Sequence, residues 1–499
     1  MNTQEWVKQV IKQEEIDKYL VNGEDFINED LIWDVINKNQ EPTKEQIQKI
    51  LEKSLRIERL EPDEVAALMA VKDEELWKEM RKAALEVKKK VYDNRIVFFA
   101  PLYCSSYCVN SCKYCGFRCE NKDEKRILLE MNQVKQETEA VIDEGHKRMI
   151  VVFGEHNKSD VDYMAECIQN IYSVKTPAKN GKGFNSIRRV NVNAAPLSIG
   201  NLKKLWRAGI GTYQVFQETY DKKIYEEVHP KETIKGNYRW RLYALHRAME
   251  AGIDDVAIGA LFGLADWRFD VMGLIYHTID LEKHFGIGPH TISFPRLQPA
   301  PGSYISEHSK YLVDDENFKK IVTVLRLAVP YTGLIVTARE DKDIKREVLS
   351  YGCTQTDAST KIGVGAYTEA KKQEDNEDAV QFMLGDQRSL DEVIAELIDD
   401  GYITSFCTAG YRCGRTGDKI MGLLKTGVEG KFCKLNAILT FREYLNDYAS
   451  EETRRKGEIL IEKEMKEIEE SDFFKDKKLI NTFKLYYDKI KNGERDLYI

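Results

Sequence analysis

Tyr103-Cys104-Ser105-Ser106-Tyr107-Cys108-Val109-Asn110-Ser111-Cys112-Lys113-Tyr114-Cys115-Gly116-Phe117 decides how the chain is read. Three of its cysteines, Cys108, Cys112 and Cys115, fall at the spacing CX3CX2C just after the strand-like run Ile96-Val97-Phe98-Phe99. Three thiolates on one short loop hold three irons of a cubane cluster and leave the fourth without a protein ligand, open to a substrate or cofactor. A zinc site usually takes four ligands in two pairs, and no second pair lies nearby. Ordinary buried or free thiols are the plain alternative. Tyr114, directly before the last cysteine, and the place of the loop after a first strand weigh against it.

Outward from that loop, short β-rich runs alternate with helical stretches. The runs are 96–99, 149–153, 190–193, 212–216, 256–261, 291–294, 334–337 and 362–365, with helical segments such as 201–208 and 237–251 between them. This alternation predicts a parallel sheet with crossover helices. Eight strands close a TIM-type (β/α)8 barrel, and an α/β doubly wound open sheet is the structural competitor. Polar residues placed repeatedly just after the strands favour the barrel, whose active site is assembled there. Residues 1–90 have helical spacing, with Pro62 and Asp63 marking a helix start, and predict an N-terminal helical extension. The barrel is expected over 91–370 and a mainly helical C-terminal domain over 371–499. That last part comprises a charged linker at 371–379, a helix at 390–397, a Gly- and Cys-rich loop at 405–417 and a charged helical tail from 451.

At 499 residues, with 42% apolar and 32% charged residues, the chain can bury a large core under a solvated surface. A net charge of -8 with both signs interspersed predicts no nucleic-acid partner and no anionic membrane surface. No apolar run approaches the roughly 20 residues that span a bilayer, and the first residues lack a basic stretch followed by an apolar one. A cytoplasmic location is expected. Ten cysteines, eight of them clustered at 104–119 and 407–433, suit metal or redox chemistry in reduced, oxygen-poor surroundings better than disulfides.

Cys108, Cys112 and Cys115, with Tyr114 before the third, resemble the signature of radical S-adenosylmethionine (SAM) enzymes. The resemblance implies a 4Fe-4S cluster whose open iron chelates SAM, and an external electron donor. It also implies further SAM-binding residues. Gly154 and Glu155, in Phe153-Gly154-Glu155-His156, stand where the superfamily has its glycine-rich turn. Glu218 offers a carboxylate to the ammonium or ribose, and Arg239 or Arg241 offers paired donors to the carboxylate. Asn193 and Gly259 fall in segments expected beside the cofactor. For each charged residue the alternative is a solvated helix-surface charge.

The segments Arg188 to Pro196, Phe216 to Tyr220, Gly252 to Val256, Gly288 to Arg296 and Lys491 to Tyr498 narrow the resemblance to radical SAM tyrosine lyases, most closely the FeFe-hydrogenase maturases. The implied substrate is L-tyrosine, cleaved at Cα-Cβ to p-cresol and dehydroglycine, with Arg296 as the clamp for its carboxylate; a structural ion pair is the alternative for Arg296. Implied too are a second, auxiliary iron-sulfur cluster with a labile iron held by His290, free cysteine bridging to that iron, and hydrogenase maturation proteins as partners; a satisfied core or surface histidine is the alternative for His290. The family pattern for the auxiliary cluster is CX2CX22C. Here Cys407 and Cys433 occupy the first and third positions, the second is Gly410, and a cysteine stands instead at Cys413. Either Cys407, Cys413 and Cys433 ligate in a rearranged set, or this cluster is lost. Cys104, Cys119, Cys167 and Cys353 match no ligand pattern and are expected to be structural.

The implied function is thus tyrosine cleavage, with dehydroglycine converted to carbon monoxide and cyanide on iron for assembly of the FeFe-hydrogenase active-site cluster. Two alternatives stand beside it. One is a tyrosine lyase that stops at dehydroglycine, as a 2-iminoacetate synthase does; the other is a non-catalytic iron-sulfur scaffold.

Overall fold

In the computed structural model, residues 3–372, 381–426, 429–470 and 477–499 are described; most of the charged linker expected at 371–379 lies outside them. Six helices precede the first strand, from Thr3–Val10 to Glu74–Tyr92. Their starts follow from local chemistry: Asn28, Thr43 and Asp73 each accept a backbone N–H in the first turn. The helix Pro62–Met69 opens with proline in its first turn behind a Glu61/Glu64 capping box.

Eight parallel strands then close into a barrel: β1 (Arg95–Ser105), β2 (Arg148–Phe153), β3 (Arg189–Asn193), β4 (Tyr213–Gln214), β5 (Val256–Gly259), β6 (Thr291–Ser293), β7 (Gly333–Val336) and β8 (Gln355–Asp357). Each pairs with the next, and β8 returns to β1 with Val97 opposite Gln355. The fold is the TIM-type (β/α)8 barrel expected from the sequence. The eighth strand, however, lies at Gln355–Asp357, not at 362–365, where Val364 forms an isolated bridge to Tyr103. Gln355-Thr356-Asp357 lacks an apolar pattern because its inward side chains meet polar partners: Gln355 accepts from buried Arg148 at 3.0 Å.

The alternation of β-strands sorts side chains into layers. Phe99, Ile150, Gln214, Ser293 and Ile335 face the barrel interior at mid-height, and Tyr103, Val152, Asn193, Phe216 and Pro295 stand above them. Arg148 and Arg189, on the same inward register, form the floor.

The C-terminal part is helical but is joined to the barrel. β9 (Ile403–Ser405) extends the sheet beyond the start of β1, pairing in parallel with Arg95–Val97. Helix Glu429–Asp447 lies against it and is tied by buried ion pairs to the barrel, through Glu443, and to the C-terminal tail, through Asp447. Glu443 meets Arg188 at 2.7 Å and Lys147 at 3.1 Å, and Asp447 meets Arg495 at 2.6 Å. Pairs this buried are weak net stabilisers, yet removing one partner costs about 3–5 kcal/mol because the other charge is stranded. No described helix is long and apolar enough to cross a membrane.

Candidate active site

At the C-terminal ends of the strands a cavity with about 1100 Å³ of empty space, its open mouth included, is lined by Cys108, Cys112 and Cys115 on one side. Gly154, Glu155, Asn193, Glu218, Lys235, Arg241, Leu261 and Arg339 line it elsewhere. The cysteine loop leaves β1 and is pinned from several directions. Gly154 N–H donates to Ser105 O at 3.1 Å, and Asn110 Nδ2 donates to Glu155 Oε2 at 2.5 Å. Tyr114 OH shares a hydrogen bond with His229 Nε2 at 2.8 Å. Position 154 must be glycine, since a Cβ there would lie 2.2 Å from the Tyr107 carbonyl oxygen.

Burial pushes the Cys108 thiol up to about 11, with Cys115 and Glu155 adding to it. Burial likewise raises Cys112 to about 12, against the pull of Lys235. Thiols held protonated this firmly are drawn to thiolates by a metal ion, whose charge offsets the cost. With Cys115 beside them, three thiols at one cavity wall fit a cubane cluster with one open iron.

The opposite wall is polar. Glu218, in the left-handed region at φ 73°, accepts from Lys235 Nζ at 2.8 Å and Arg241 Nη2 at 3.1 Å. Burial alone would raise its carboxyl, but Lys235 and Arg241 more than offset this and leave it below its ordinary value. Glu155 is raised by burial, and its Oε1 is buried without a hydrogen-bond partner among the described residues while the residue lines the cavity. An unsatisfied acceptor of this kind suits a ligand's ammonium group.

Of the residues singled out in the sequence, Arg239, Gly259 and Arg296 are not among those lining this cavity. Arg239 turns to the N-terminal extension, donating to Asp25 at 2.9 Å and Glu24 at 3.1 Å. Gly259 lies behind the wall, where a Cβ would come within 2.5 Å of the Phe216 ring; its role is to admit that ring, while Leu261 of the same segment reaches the cavity. Arg296 points away because Pro295 and Leu297, its neighbours in the alternation, point in. It pairs instead with buried Glu340 and with Asp315 at 2.8 Å.

Arg339, shortly after β7, also faces the interior, and no local motif in the sequence sets it apart. It lines both the mouth and a deeper chamber formed by Phe99, Ile150, Gln214, Ser293 and Ile335. Among the described residues no carboxylate makes an ion pair with it, and burial lowers its pKa. The available signal was its place just past a strand's C-terminal end, the rule that located the other site residues. Lys235 and Gln381, whose Nε2 approaches Cys115 Sγ at 3.6 Å, are also additions from the structure.

A second cluster lies at the opposite, N-terminal end of the barrel. Arg189 Nη1 donates to the Cys407 carbonyl at 3.0 Å and approaches its Sγ at 3.4 Å. Cys407 is itself in the left-handed region, at φ 48°. His290 stands immediately before β6 with Nε2 3.8 Å from Asp255 Oδ2, and Asp255 also takes hydrogen bonds from Arg189 and Tyr411. Burial and the neighbouring Arg189 push Arg148 down to about 10, and its Nε and Nη1 are buried without hydrogen-bond partners among the described residues. Two buried guanidiniums beside a cysteine are suited to an anionic, thiolate-ligated group. Gly410 and Cys413 belong to one helical turn, Ala409–Arg412 with Cys413 as its C-cap, and are three residues apart. Residues at that spacing share a helix face. Cys433 is half-buried on helix Glu429–Asp447.

The Radical SAM superfamily profile matches residues 102–267, and that of the Biotin and Thiamin Synthesis associated domain matches 293–403. The chain is similar to a crystal structure of HydG, described as a maturase of the FeFe-hydrogenase. Identity is 43% and the TM-score 0.88, over 95% of this chain and 100% of that one. The structure of the FeFe-hydrogenase maturase HydG from Carboxydothermus hydrogenoformans is 37% identical, with a TM-score of 0.76, over 95% of this chain and 99% of that one. Among curated proteins, 2-iminoacetate synthase of Salmonella typhimurium is 28% identical over 353 residues, 70% of this chain and 88% of the relative.

Proposed function

The chain belongs to the HydG family of radical SAM enzymes, and from that premise we propose that it cleaves L-tyrosine to p-cresol and dehydroglycine, and that dehydroglycine goes on to carbon monoxide and cyanide for assembly of the FeFe-hydrogenase cluster. The observation that carries the reading is the joining of two chambers at Arg339: a cysteine-lined mouth and an inner, largely apolar pocket share this one unpaired guanidinium.

Cys108, Cys112 and Cys115 hold the 4Fe-4S cluster, and Gly154, Glu155, Asn193, Glu218 and Arg241 surround SAM. When bound, the two together supply the 5′-deoxyadenosyl radical that takes a hydrogen from the tyrosine amino group. Glu155 Oε1 and the Glu218 carboxylate accept from ammonium and hydroxyl groups of the ligand. Arg339 takes the tyrosine carboxylate by paired donors, a role suited to a planar fork. Its contact with Phe382 limits where that fork can lie. The phenol ring enters between Phe99, Ile150, Phe216 and Ile335, which exclude water from the bond that breaks.

Cys407, Cys413, Cys433 and His290 hold the auxiliary cluster and its labile iron, which supplies the place where dehydroglycine is converted. Free cysteine, an electron donor and hydrogenase maturation proteins are the further partners, and the cytoplasm is the location. Supporting this full reading over a lyase that stops at dehydroglycine is the buried Arg148–Arg189 pair beside Cys407, a charge arrangement with no use in tyrosine cleavage. Measuring cyanide and carbon monoxide beside p-cresol tests it. All three are expected, and p-cresol with neither would leave the shorter reaction.

A further inference from the structure

Away from both cysteine sites, where the helices Ala244–Glu250 and Trp267–Phe285 meet beneath the N-terminal extension, three side chains turn their ligand atoms to one another. His246 Nε2 lies 2.8 Å from Asp280 Oδ2, and His284 Nδ1 lies 3.5 Å from the same oxygen. One ligand atom from each of the three falls within 4.8 Å of the other two. We propose that His246, Asp280 and His284 form a binding site for one divalent transition ion, zinc(II) or iron(II), separate from the iron-sulfur centres.

Two imidazoles and one carboxylate form a donor set of borderline softness, typical of zinc and non-haem iron(II). Ligands about 2.1 Å from a tetrahedral ion stand about 3.4 Å apart, so the spacings of 2.8 Å and 3.5 Å need only small adjustment. The charge balance also asks for a cation. Asp280 is 8% exposed, yet among the described residues no lysine or arginine makes an ion pair with it. His246 is fully buried. Among the described residues its Nδ1 has no hydrogen-bond partner, nor has Nε2 of His277, whose ring stacks on it at 5.8 Å. The polar needs of this buried histidine pair are therefore incompletely met by protein groups.

Binding requires two changes of tautomer. His246 moves its proton from Nε2 to Nδ1. His284 Nδ1 gives up the hydrogen bond it now makes to the Asp280 carbonyl at 2.9 Å, and Nε2 carries the proton. The open coordination position lies on the side of His284, whose side chain is 25% exposed. Tyr19 packs over both histidines, with ring centroids 5.2 Å from His246 and 6.1 Å from His284, and its hydroxyl is committed to Glu250 at 2.7 Å. An ion here clamps the two helices together directly beneath Tyr19 and Phe26 of the extension, so its effect is on the seating of the extension. It does not depend on the reaction assigned to the barrel.

The test uses protein whose iron-sulfur clusters have been reconstituted and freed of loose metal. Zinc(II) and iron(II) are titrated separately against a chromophoric chelator, with the melting temperature followed in parallel. One equivalent beyond the cluster iron is expected, with a rise in melting temperature. His284→Ala, at a partly exposed position, and Asp280→Asn, which keeps the shape, should each weaken this binding more than about 10-fold while cluster iron stays unchanged. Whichever ion the parent takes up at these residues is the occupant. Cobalt(II) should give a d–d spectrum without thiolate charge transfer. Equal affinity in parent and variants, no extra equivalent, or a thiolate signature would each overturn the proposal.

Discussion

The guanidinium carbon of Arg339 sits 3.4 Å from the centre of the Phe382 ring, inside the barrel mouth. Stacking of this kind holds the fork flat and leaves its edge donors for a ligand. Lysine keeps the charge but not the fork, so Arg339→Lys should raise the KM for tyrosine by about 10- to 100-fold, the worth of one charge-assisted hydrogen bond. Steady-state p-cresol formation measures this directly.

Arg296→Gln should behave in the opposite way. Its partner Glu340 is 2% exposed and would be left as an unpaired buried carboxylate, at a cost of about 3–5 kcal/mol. A lowered melting temperature with the tyrosine KM changed by less than about 3-fold is the expected pair of results. A large KM effect would return Arg296 to the substrate.

The contrast between these two arginines shows how far the sequence could be read. The cysteine loop and seven of the strands were legible because their signals are local: a fixed spacing, or a short run of apolar residues. Arg296 and Arg339 both follow strands, and what separates them is the direction each faces. One residue of register flips a side chain between interior and exterior, and strand ends are where register is least visible in sequence. The eighth strand, Gln355–Asp357, was missed for the related reason that its inward face is polar. Arg239 is held by Asp25, 214 positions away in sequence, a contact no local pattern announces.

Gly154→Ala tests the seating of the cysteine loop. The added methyl would meet the Tyr107 carbonyl oxygen, a backbone atom with no freedom to swing aside. Cluster iron bound by Cys108, Cys112 and Cys115 should fall, and the change that SAM produces in the electron paramagnetic resonance of the reduced cluster should vanish. The circular dichroism of the barrel should persist.

At the other end of the barrel, Cys413→Ala should lower iron per chain and abolish cyanide while leaving p-cresol formation intact. Around Gly410 the nearest atom to an added Cβ is Arg415 O at 3.5 Å, an ordinary contact. The double variant Gly410→Cys with Cys413→Ala should therefore recover the lost iron, counted with sulfide after reconstitution. Unchanged iron in the single variant would remove Cys413 from the ligand set.

Asp270 makes stability depend on pH. It is fully buried, accepts from Thr219 Oγ1 at 2.9 Å and Tyr220 N at 2.8 Å, and burial pushes it up from 3.8 to about 8. Its folded pKa exceeds its unfolded one, so the folded chain holds the proton more tightly. The stabilisation is complete below about 3.8 and is lost as pH rises toward 8, at up to about 1.4 kcal/mol per pH unit. Asp270→Asn keeps an acceptor and cannot ionise. Its melting temperature relative to the parent should therefore climb between pH 5 and 8, and a constant offset would show that Asp270 is ionised in the fold.

Product stoichiometry tests tyrosine cleavage in this cavity most directly. Reconstituted, reduced protein incubated anaerobically with SAM and L-tyrosine should release p-cresol one for one with 5′-deoxyadenosine, and neither product should form with Cys112→Ala. Formation of 5′-deoxyadenosine from SAM without p-cresol, or of neither product by protein carrying its full iron complement, would contradict the assignment of this cavity to tyrosine cleavage.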